Sequence, residues 1–78
     1  MSTVLIYSTP TCPWCHKAKD YFKEKGVAFT DIDVAADQAK AAEMVNKSGQ
    51  MAVPVIEIDG TIVVGYDKEK IEELLKLE

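Results

Sequence analysis

The sequence predicts an α/β domain with the order strand, helix, strand, helix, strand, strand, helix. Two observations support this order: an apolar run at residues 3–7 stands just before a segment with helical spacing, and Asp59-Gly60 joins two β-rich segments as a hairpin turn would. A strand, a helix and a parallel strand form a right-handed crossover, so the hairpin extends the same sheet. We therefore expect a four-stranded mixed sheet with helices on both faces.

The first half of the chain predicts a strand, a helix and a second strand. Residues 3–7 are too short for a helix and rich in β-branched residues, which is typical of a central strand buried on both faces. From residue 13 to 25 the apolar positions share one helical face, and Gly26 offers a left-handed cap. Residues 27–34 alternate imperfectly and predict a strand that Asp31 and Asp33 keep partly exposed.

The second half predicts a helix, a hairpin and a final helix. Asp37 is expected to cap the second helix, which ends at Ser48-Gly49. Two strands, Val55–Ile58 and Thr61–Val64, form the hairpin, and Gly65 ends it. The last helix is predicted from four apolar residues at helical spacing, namely Ile71, Leu74, Leu75 and Leu77.

Length and composition limit the classes of protein to which the chain can belong. Its 78 residues predict a single domain over residues 1–78, and we expect a monomer at this size. The start of the chain lacks the basic and apolar regions of a secretory signal, and no stretch approaches the ~20 apolar residues of a membrane helix, so we expect a cytoplasmic protein. A net charge of −4, with nine lysines, no arginine and no basic cluster, argues against a nucleic-acid partner.

The only two cysteines lie in the segment Cys12-Pro13-Trp14-Cys15. If Cys12 precedes a helix and Pro13 occupies its first turn, free backbone N–H groups point at the Cys12 sulfur and favour a thiolate. Cys15 follows one helical turn later, at a Cβ separation of ~5 to 6 Å that a disulfide can close with local adjustment. In a reducing compartment this spacing predicts a redox-active thiol pair rather than a structural disulfide.

Three motifs in the expected order resemble those of the glutaredoxin family of the thioredoxin superfamily. Residues 7–16 resemble the active-site loop of that family, Ala52-Val53-Pro54 resembles its cis-proline loop, and residues 64–67 resemble its third substrate-facing loop. The resemblance covers nearly the whole chain. It implies a thioredoxin-like fold with strand order 2-1-3-4 and a cis peptide bond before Pro54.

The same resemblance implies a dithiol-disulfide oxidoreductase that acts on protein disulfides or on glutathione mixed disulfides. Cys12 would be the nucleophile and Cys15 the resolving thiol. The redox groups are the side chains themselves, so no tightly bound cofactor and no metal are expected, although glutathione is a possible co-substrate. The substrate-binding residues implied by the motifs are Pro13, Trp14, Val53, Pro54, Gly65, Tyr66 and Asp67.

Several positions depart from the glutathione-using members of the family. Thr9 and Gln50 stand where many of those members carry basic residues. Ala52, Val64 and Lys68 also differ from the family pattern. The electron donor is therefore expected to be either glutathione or, as for the similar NrdH-type redoxins, thioredoxin reductase, and the Pro-Trp pair between the cysteines favours the glutaredoxin type.

Other interpretations of the cysteines belong to different classes of protein. In one alternative the two cysteines are buried core residues with no chemical role. In another they bind zinc, but the site would need more ligands than His16 and scattered carboxylates supply. The C-x-x-C-H pattern also fits c-type haem attachment, with Met44 or Met51 as a second axial ligand. An iron–sulfur cluster bridged between two Cys12 thiolates and external thiols is a further alternative.

Three neighbouring side chains have both a structural and a functional interpretation. Trp14 is expected to be exposed, either as a surface aromatic or as an apolar contact for substrate. His16 is expected to be a plain surface residue. Asp67 is expected to cap the last helix, whose amide-rich start could also hold an anionic or peptide group of the substrate.

Overall fold

The structure, a computed structural model, describes residues 3–75. Leu77, which the apolar spacing assigns to the last helix, lies outside the described residues. Within residues 3–75 no helix is long and apolar enough to cross a bilayer. In chain order the elements are β1 (Val4–Ser8), α1 (Pro13–Glu24), β2 (Thr30–Asp33), α2 (Gln38–Ser48), β3 (Val55–Ile58), β4 (Thr61–Val64) and α3 (Lys68–Leu75).

The four strands form one mixed sheet in the order β2-β1-β3-β4, which confirms the expected strand order. β1 is parallel to β2, with Leu5 opposite Thr30 and Ser8 opposite Asp33. β3 is antiparallel to both β1 and β4. The chain between β1 and β2 is the expected crossover through α1.

Both faces of the sheet are covered, because successive side chains of the central strands point to opposite sides. On one face Ile6 and Ile56 pack with Phe22 of α1 and Ile71 of α3. On the other face Tyr7 and Val55 pack with Met44 of α2. The prediction of a first strand buried on both faces is thereby confirmed.

The first two strands differ from the sequence prediction at both ends, since residues 3–7 and 27–34 were expected and the strands are Val4–Ser8 and Thr30–Asp33. β1 extends to Ser8, which pairs with Asp33, rather than ending at Tyr7. β2 begins at Thr30 rather than at residue 27, because the backbone N–H of Val27 donates to the carbonyl of Phe22 at 2.8 Å and closes the end of α1. Val27 and Phe29 still pack against the core without joining the sheet ladder.

The turn and capping residues adopt the backbone conformations and hydrogen bonds that the sequence predicts for them. Asp59 and Gly60 both have positive φ, 49° and 88°, as the tight hairpin turn requires. Asp37 precedes α2, and its side chain accepts a hydrogen bond from the backbone nitrogen of Lys40. Gly49 ends α2 in the left-handed conformation. These caps fix where α2 begins and ends between β2 and β3.

Candidate active site

Cys12 is the N-cap of α1, and its sulfur lies at the amide-rich start of the helix. Its backbone is extended, with φ −91° and ψ 111°, and Pro13 follows in the first helical turn. The Sγ atom accepts a hydrogen bond from the backbone nitrogen of Cys15 at 3.1 Å. A donor directed at this sulfur stabilises negative charge on it, as expected from the position of Pro13 in the sequence.

The loop before Cys12 is held by two hydrogen bonds to backbone carbonyl groups. The Cys12 backbone nitrogen donates to the oxygen of Thr9 at 3.3 Å. The Nε2 atom of His16 donates to the oxygen of Pro10 at 2.9 Å, since a carbonyl oxygen can only accept. His16 is exposed as expected, but it also links α1 to the loop that presents Cys12.

Cys15 differs from Cys12 in exposure. Its side chain is fully buried, with 0% of its surface exposed, whereas Cys12 is partly exposed and neither cysteine is in a disulfide. The pKa of Cys15 is raised to about 11, chiefly by burial and next by the hydrogen bond with Cys12, while the backbone at Thr9 and the charge of Lys19 act in the opposite direction. The pair therefore offers one accessible sulfur and one protected thiol.

The peptide bond between Val53 and Pro54 is cis, which confirms the expectation for this loop. It lies beside the cysteine pair, since the Cys12 thiol donates to the Val53 oxygen over a distance of 3.8 Å. The oxygen of Pro54 accepts a hydrogen bond of 2.8 Å from the backbone nitrogen of Gly65. The three motif loops are therefore joined around the Cys12 sulfur.

A groove of about 260 Å³ is lined in part by Val53, whose carbonyl oxygen contacts the Cys12 sulfur. The indole of Trp14 is 56% exposed, and its ring centroid is 6.4 Å from that of Tyr66. All five residues that line the groove belong to the predicted substrate-binding set: Trp14, Val53, Pro54, Gly65 and Tyr66.

Two further members of the predicted set, Pro13 and Asp67, do not line this groove. Pro13 is exposed at the start of α1. Asp67 caps α3, because its Oδ1 atom accepts a hydrogen bond from the backbone nitrogen of Lys70 at 3.3 Å and its carbonyl accepts one from Ile71. The capping role expected for Asp67 is thereby confirmed, and the substrate-binding roles of all seven residues stay predictions.

Cationic groups lie around the groove rather than in its lining. The Nζ atom of Lys17 is 4.7 Å from the Trp14 ring centroid, and that of Lys68 is 5.9 Å from the ring centroid of Tyr21. Both lysines line a second hollow of about 260 Å³ that shares Tyr66 with the groove. A larger hollow of about 520 Å³ lies on α2 and includes neither cysteine.

Sequence reasoning missed a polar cluster beneath the cysteine pair. The Ser8 hydroxyl donates to Asp31 Oδ1 at 2.6 Å, and the Lys19 ammonium donates to Asp31 Oδ2 at 3.0 Å. Burial alone would raise the pKa of Asp31, but the hydrogen bonds from Ser8 and Lys19 outweigh it and hold the pKa below its usual value. The available signals were Asp31 in a strand pattern and a lysine four residues after Cys15.

The structure also bears on the metal and haem alternatives. Within the described part of the chain, no three histidine, cysteine, aspartate or glutamate side chains converge as a metal site would require. Met44 is 3% exposed and packs with Tyr7 and Val55 in the core. It is therefore not available as an axial ligand for a haem at the cysteine motif, whereas Met51 is 86% exposed.

A thioredoxin-like sheet, with a thiol pair at the start of its first helix and a cis-proline loop beside it, defines a redoxin of the thioredoxin superfamily. The chain belongs to the glutaredoxin family, whose model, described as Glutaredoxin, matches residues 4–63. Members of this family are thiol-disulfide oxidoreductases, and this chain is one of them. The prediction from the sequence motifs is confirmed at this level.

Individual relatives support the same assignment. A glutaredoxin-like 8.6 kDa protein of a rubredoxin operon in Clostridium pasteurianum is 51% identical over 73 residues, covering 94% of this chain and 97% of the relative. Glutaredoxin 3 of Escherichia coli K12 is 42% identical over 67 residues, covering 86% and 81%. The crystal structure of a glutaredoxin from Archaeoglobus fulgidus superposes with a TM-score of 0.87 at 31% identity, covering 97% and 88%.

Proposed function

We propose that this chain reduces protein disulfides through a Cys12 and Cys15 dithiol pair, with Cys12 as the nucleophile and Cys15 as the resolving thiol. The observation that carries the proposal is the difference between the two sulfurs. Cys12 is partly exposed at the start of α1 beside the groove, whereas Cys15 is 0% exposed one helical turn further on. We propose further that residues 1–78 act as a single monomeric domain in a reducing cytoplasm, where thiol pairs persist.

In the first step the Cys12 thiolate attacks one sulfur of the substrate disulfide. A bond forms between the two sulfurs, the substrate S–S bond breaks, and the departing thiolate takes a proton from solvent. The hydrogen bond from the Cys15 backbone nitrogen to Cys12 Sγ stabilises the attacking thiolate. The product of this step is a mixed disulfide at Cys12.

In the second step Cys15 loses its proton and attacks Cys12 Sγ. The mixed disulfide breaks, the second substrate thiolate departs, and a Cys12–Cys15 disulfide forms, so that two electrons have passed from the pair to the substrate. Because burial raises the pKa of Cys15 to about 11, Cys15 remains a thiol while Cys12 reacts. The two cysteines thus act in a fixed order.

The groove supplies the contact with the substrate. Its lining consists of backbone at Val53, Pro54 and Gly65 between the two aromatic side chains of Trp14 and Tyr66. An extended segment beside a disulfide fits such a surface, with apolar side chains against the rings and backbone groups opposite the Val53 loop. Pro13 at the rim and the α3 start at Asp67 would complete the contact.

The charges around the groove favour thioredoxin reductase as the electron donor. Its lining residues carry no charged side chain, and Thr9 and Gln50, which stand where many glutathione-using members carry basic residues, are uncharged. Glutathione has two carboxylates, and binding it without basic partners would cost on the order of 1 kcal/mol or more in a partly buried site. A protein donor can dock through apolar contact instead.

Glutathione is the second candidate donor, because Lys17 lies against Trp14 and Lys68 lies near Tyr21 at the adjoining hollow. The ammonium groups of these lysines could form ion pairs with the two carboxylates of glutathione. The two donors are distinguished by supplying the oxidised protein with NADPH and either thioredoxin reductase or glutathione plus glutathione reductase. We expect NADPH consumption with thioredoxin reductase.

The control in both arms is Cys15→Ser, which cannot form the internal disulfide that thioredoxin reductase would reduce. Rapid turnover only with the glutathione couple would overturn the proposed donor and identify glutathione as the reductant. If neither donor reduced a verified Cys12–Cys15 disulfide, both thioredoxin reductase and glutathione would be excluded as the electron donor.

A further inference from the structure

We propose that Lys19 is a positioning residue for the second step of the reaction, in which its ammonium group stabilises the thiolate that Cys15 must become. The inference rests on the proposed function, in which Cys15 is the resolving thiol. It assigns a role to a polar cluster of Ser8, Lys19 and Asp31 that the groove and the N-cap do not use.

Lys19 shares a helical face with Cys15, because residues four apart on a helix are neighbours. That face is directed at the core, since Cys15, Ala18 and Phe22 are all 0% exposed. The Lys19 side chain is itself only 15% exposed. Lysine is rarely buried to this extent without a partner, and Lys19 has one in Asp31, which holds its ammonium group one turn from the buried thiol.

Two strands hold the Lys19 ammonium in place. Asp31 of β2 accepts from Lys19 Nζ at 3.0 Å through Oδ2, and from the Ser8 hydroxyl of β1 at 2.6 Å through Oδ1. Ser8 is 2% exposed, so this anchor lies at the covered end of β1 directly before the active-site loop. Both carboxylate oxygens are used, which fixes the direction from which Asp31 holds the lysine.

Lys19 also affects the ionisation of Cys15. Burial and Cys12 raise the pKa of Cys15, whereas the Thr9 backbone and the charge of Lys19 lower it, and Asp31 of β2 pairs with Lys19. Once Cys12 is in a mixed disulfide it carries no charge. Lys19 is then the group with a charged side chain that still lowers the pKa of Cys15, because a cation in a partly buried setting favours the thiolate.

The step balances without proton transfer to or from Lys19. The Cys15 thiol releases its proton to solvent, its sulfur attacks Cys12 Sγ, and the thiolate that leaves Cys12 takes up a proton from solvent. Lys19 keeps its charge throughout. It lowers the energy of the state in which Cys15 is deprotonated but still surrounded by buried groups.

The test separates the two steps with an aromatic disulfide, 5,5′-dithiobis(2-nitrobenzoate), in stopped-flow experiments on the reduced full chain. Attack by Cys12 releases the first coloured thiolate, and attack by Cys15 releases the second. In Lys19→Met we expect the second phase to slow roughly three- to tenfold at neutral pH, with its pH midpoint moved upward and the first phase unchanged.

Three variants control for fold and charge. Lys19→Arg keeps the positive charge and should restore the second phase. Lys19→Gln keeps a hydrogen-bond donor for Asp31 without the charge, so it should show the same shifted pH profile as Lys19→Met even if the latter folds poorly. Lys23→Met removes an exposed lysine from the last turn of α1 and should leave both phases as in the unmodified protein.

A second phase with an unchanged rate and pH profile in folded Lys19→Gln would overturn the role of Lys19 while leaving the proposed function intact. An equal loss in both phases would show a general structural effect and would also overturn it. If the unmodified protein released only one thiolate, Cys15 would not be the resolving thiol, and both proposals would fail together.

Discussion

The carbonyl oxygen of Pro54 accepts a hydrogen bond of 2.8 Å from the backbone nitrogen of Gly65. This bond joins the cis-proline loop to the loop after β4, so two walls of the groove are hydrogen-bonded to each other. Gly65 has φ 79°, a left-handed conformation in which its N–H is directed at Pro54. The shape of the groove therefore depends on the conformation of one glycine.

Gly65→Ala is expected to lower both stability and turnover with a protein disulfide. No heavy atom lies within 4 Å of the position that an added Cβ would occupy, so the strain is conformational and costs about 1 to 2 kcal/mol. Relief of that strain would move the Gly65 N–H away from Pro54 and disturb the groove. Urea unfolding and steady-state reduction of a protein disulfide measure the two effects.

Gly26→Ala is the matched control for this prediction. Gly26 has φ 70° and equally open space around it, but it lies at the end of α1 away from the groove. We expect a similar loss of stability with little change in turnover below the unfolding transition. An equal loss of turnover in both variants would show that Gly65 does not shape the groove.

Trp14→Ala is expected to weaken binding of a protein substrate while leaving the thiol chemistry intact. The indole forms one wall of the groove and is 56% exposed, so its removal takes away apolar contact area without opening the core. We expect KM for a protein disulfide to rise roughly tenfold, the effect of losing about 1.4 kcal/mol of contact. The rate with the small aromatic disulfide should change little.

Met51→Ala provides the comparison for Trp14→Ala. Met51 is 86% exposed and is not among the residues that line the groove. Its substitution should leave KM within about twofold of the original value, equivalent to less than 0.5 kcal/mol. A rise in KM as large as that for Trp14→Ala would mean that general surface hydrophobicity, rather than the groove, binds the substrate.

Asp67→Ala is expected to lower stability and substrate affinity together. The carboxylate caps α3 through Lys70, and the same amide-rich start of the helix lies next to Tyr66 in the groove wall. Loss of a cap costs about 1 kcal/mol. Calorimetric unfolding and KM for a protein disulfide give the two readouts.

Asp37→Ala separates capping from binding, since Asp37 caps α2 through Lys40 at 3.1 Å and does not line the groove. The stability loss should be similar, and KM should be unchanged. If Asp67→Ala likewise left KM unchanged, Asp67 would be a cap alone and would leave the predicted substrate-binding set.

Asp31→Asn is expected to destabilise the fold in a pH-dependent way. The pKa of Asp31 lies below its usual value in the folded protein, so its contribution is fully present above the pKa of the unfolded chain and is lost as the pH falls through the lowered folded value. The Asp31 side chain is 44% exposed, so solvent limits the effect to about 1 kcal/mol at pH 7.

Urea unfolding at pH 7 and at pH 3 measures this dependence. The difference between Asp31→Asn and the unmodified protein should shrink at pH 3, because this pH is below the ordinary aspartate pKa of ~3.9 and the unfolded chain binds a proton that folded Asp31 resists. A difference that grew at the lower pH would contradict the assignment of an ionised Asp31 paired with Lys19.

The sequence was sufficient for the elements whose signals are local. The residue types of Asp59-Gly60 are sufficient to specify a hairpin turn. The apolar run of β1 predicts a central strand, because in a small sheet only a central strand is buried on both faces. The predicted start of β2 was wrong because the N–H of Val27 donates to the carbonyl oxygen of Phe22. This hydrogen bond ends α1, and the alternating sequence pattern does not reveal it. A local sequence pattern does not show which hydrogen-bond partner a backbone N–H group has in the folded protein.

The same reason explains which parts of the candidate site were found. Cys12 and Cys15 are neighbours along the chain, and the loops around Pro54 and Gly65 were recognised by their resemblance to family motifs. The contact between Lys19 and Asp31 joins residues 12 positions apart, and Ser8 is 23 positions from Asp31. Nothing in the spacing of these polar residues indicates that β1, α1 and β2 bring them together.

The most direct test of the dithiol mechanism is to mix each single-cysteine variant with a disulfide-containing protein and to detect mixed disulfides by mass spectrometry. Cys15→Ser should accumulate a covalent complex through Cys12, because nothing resolves it. Cys12→Ser should form none, because its remaining thiol is 0% exposed. A stable complex with Cys12→Ser, or continued reduction of the protein disulfide by it, would contradict the roles assigned to the two cysteines.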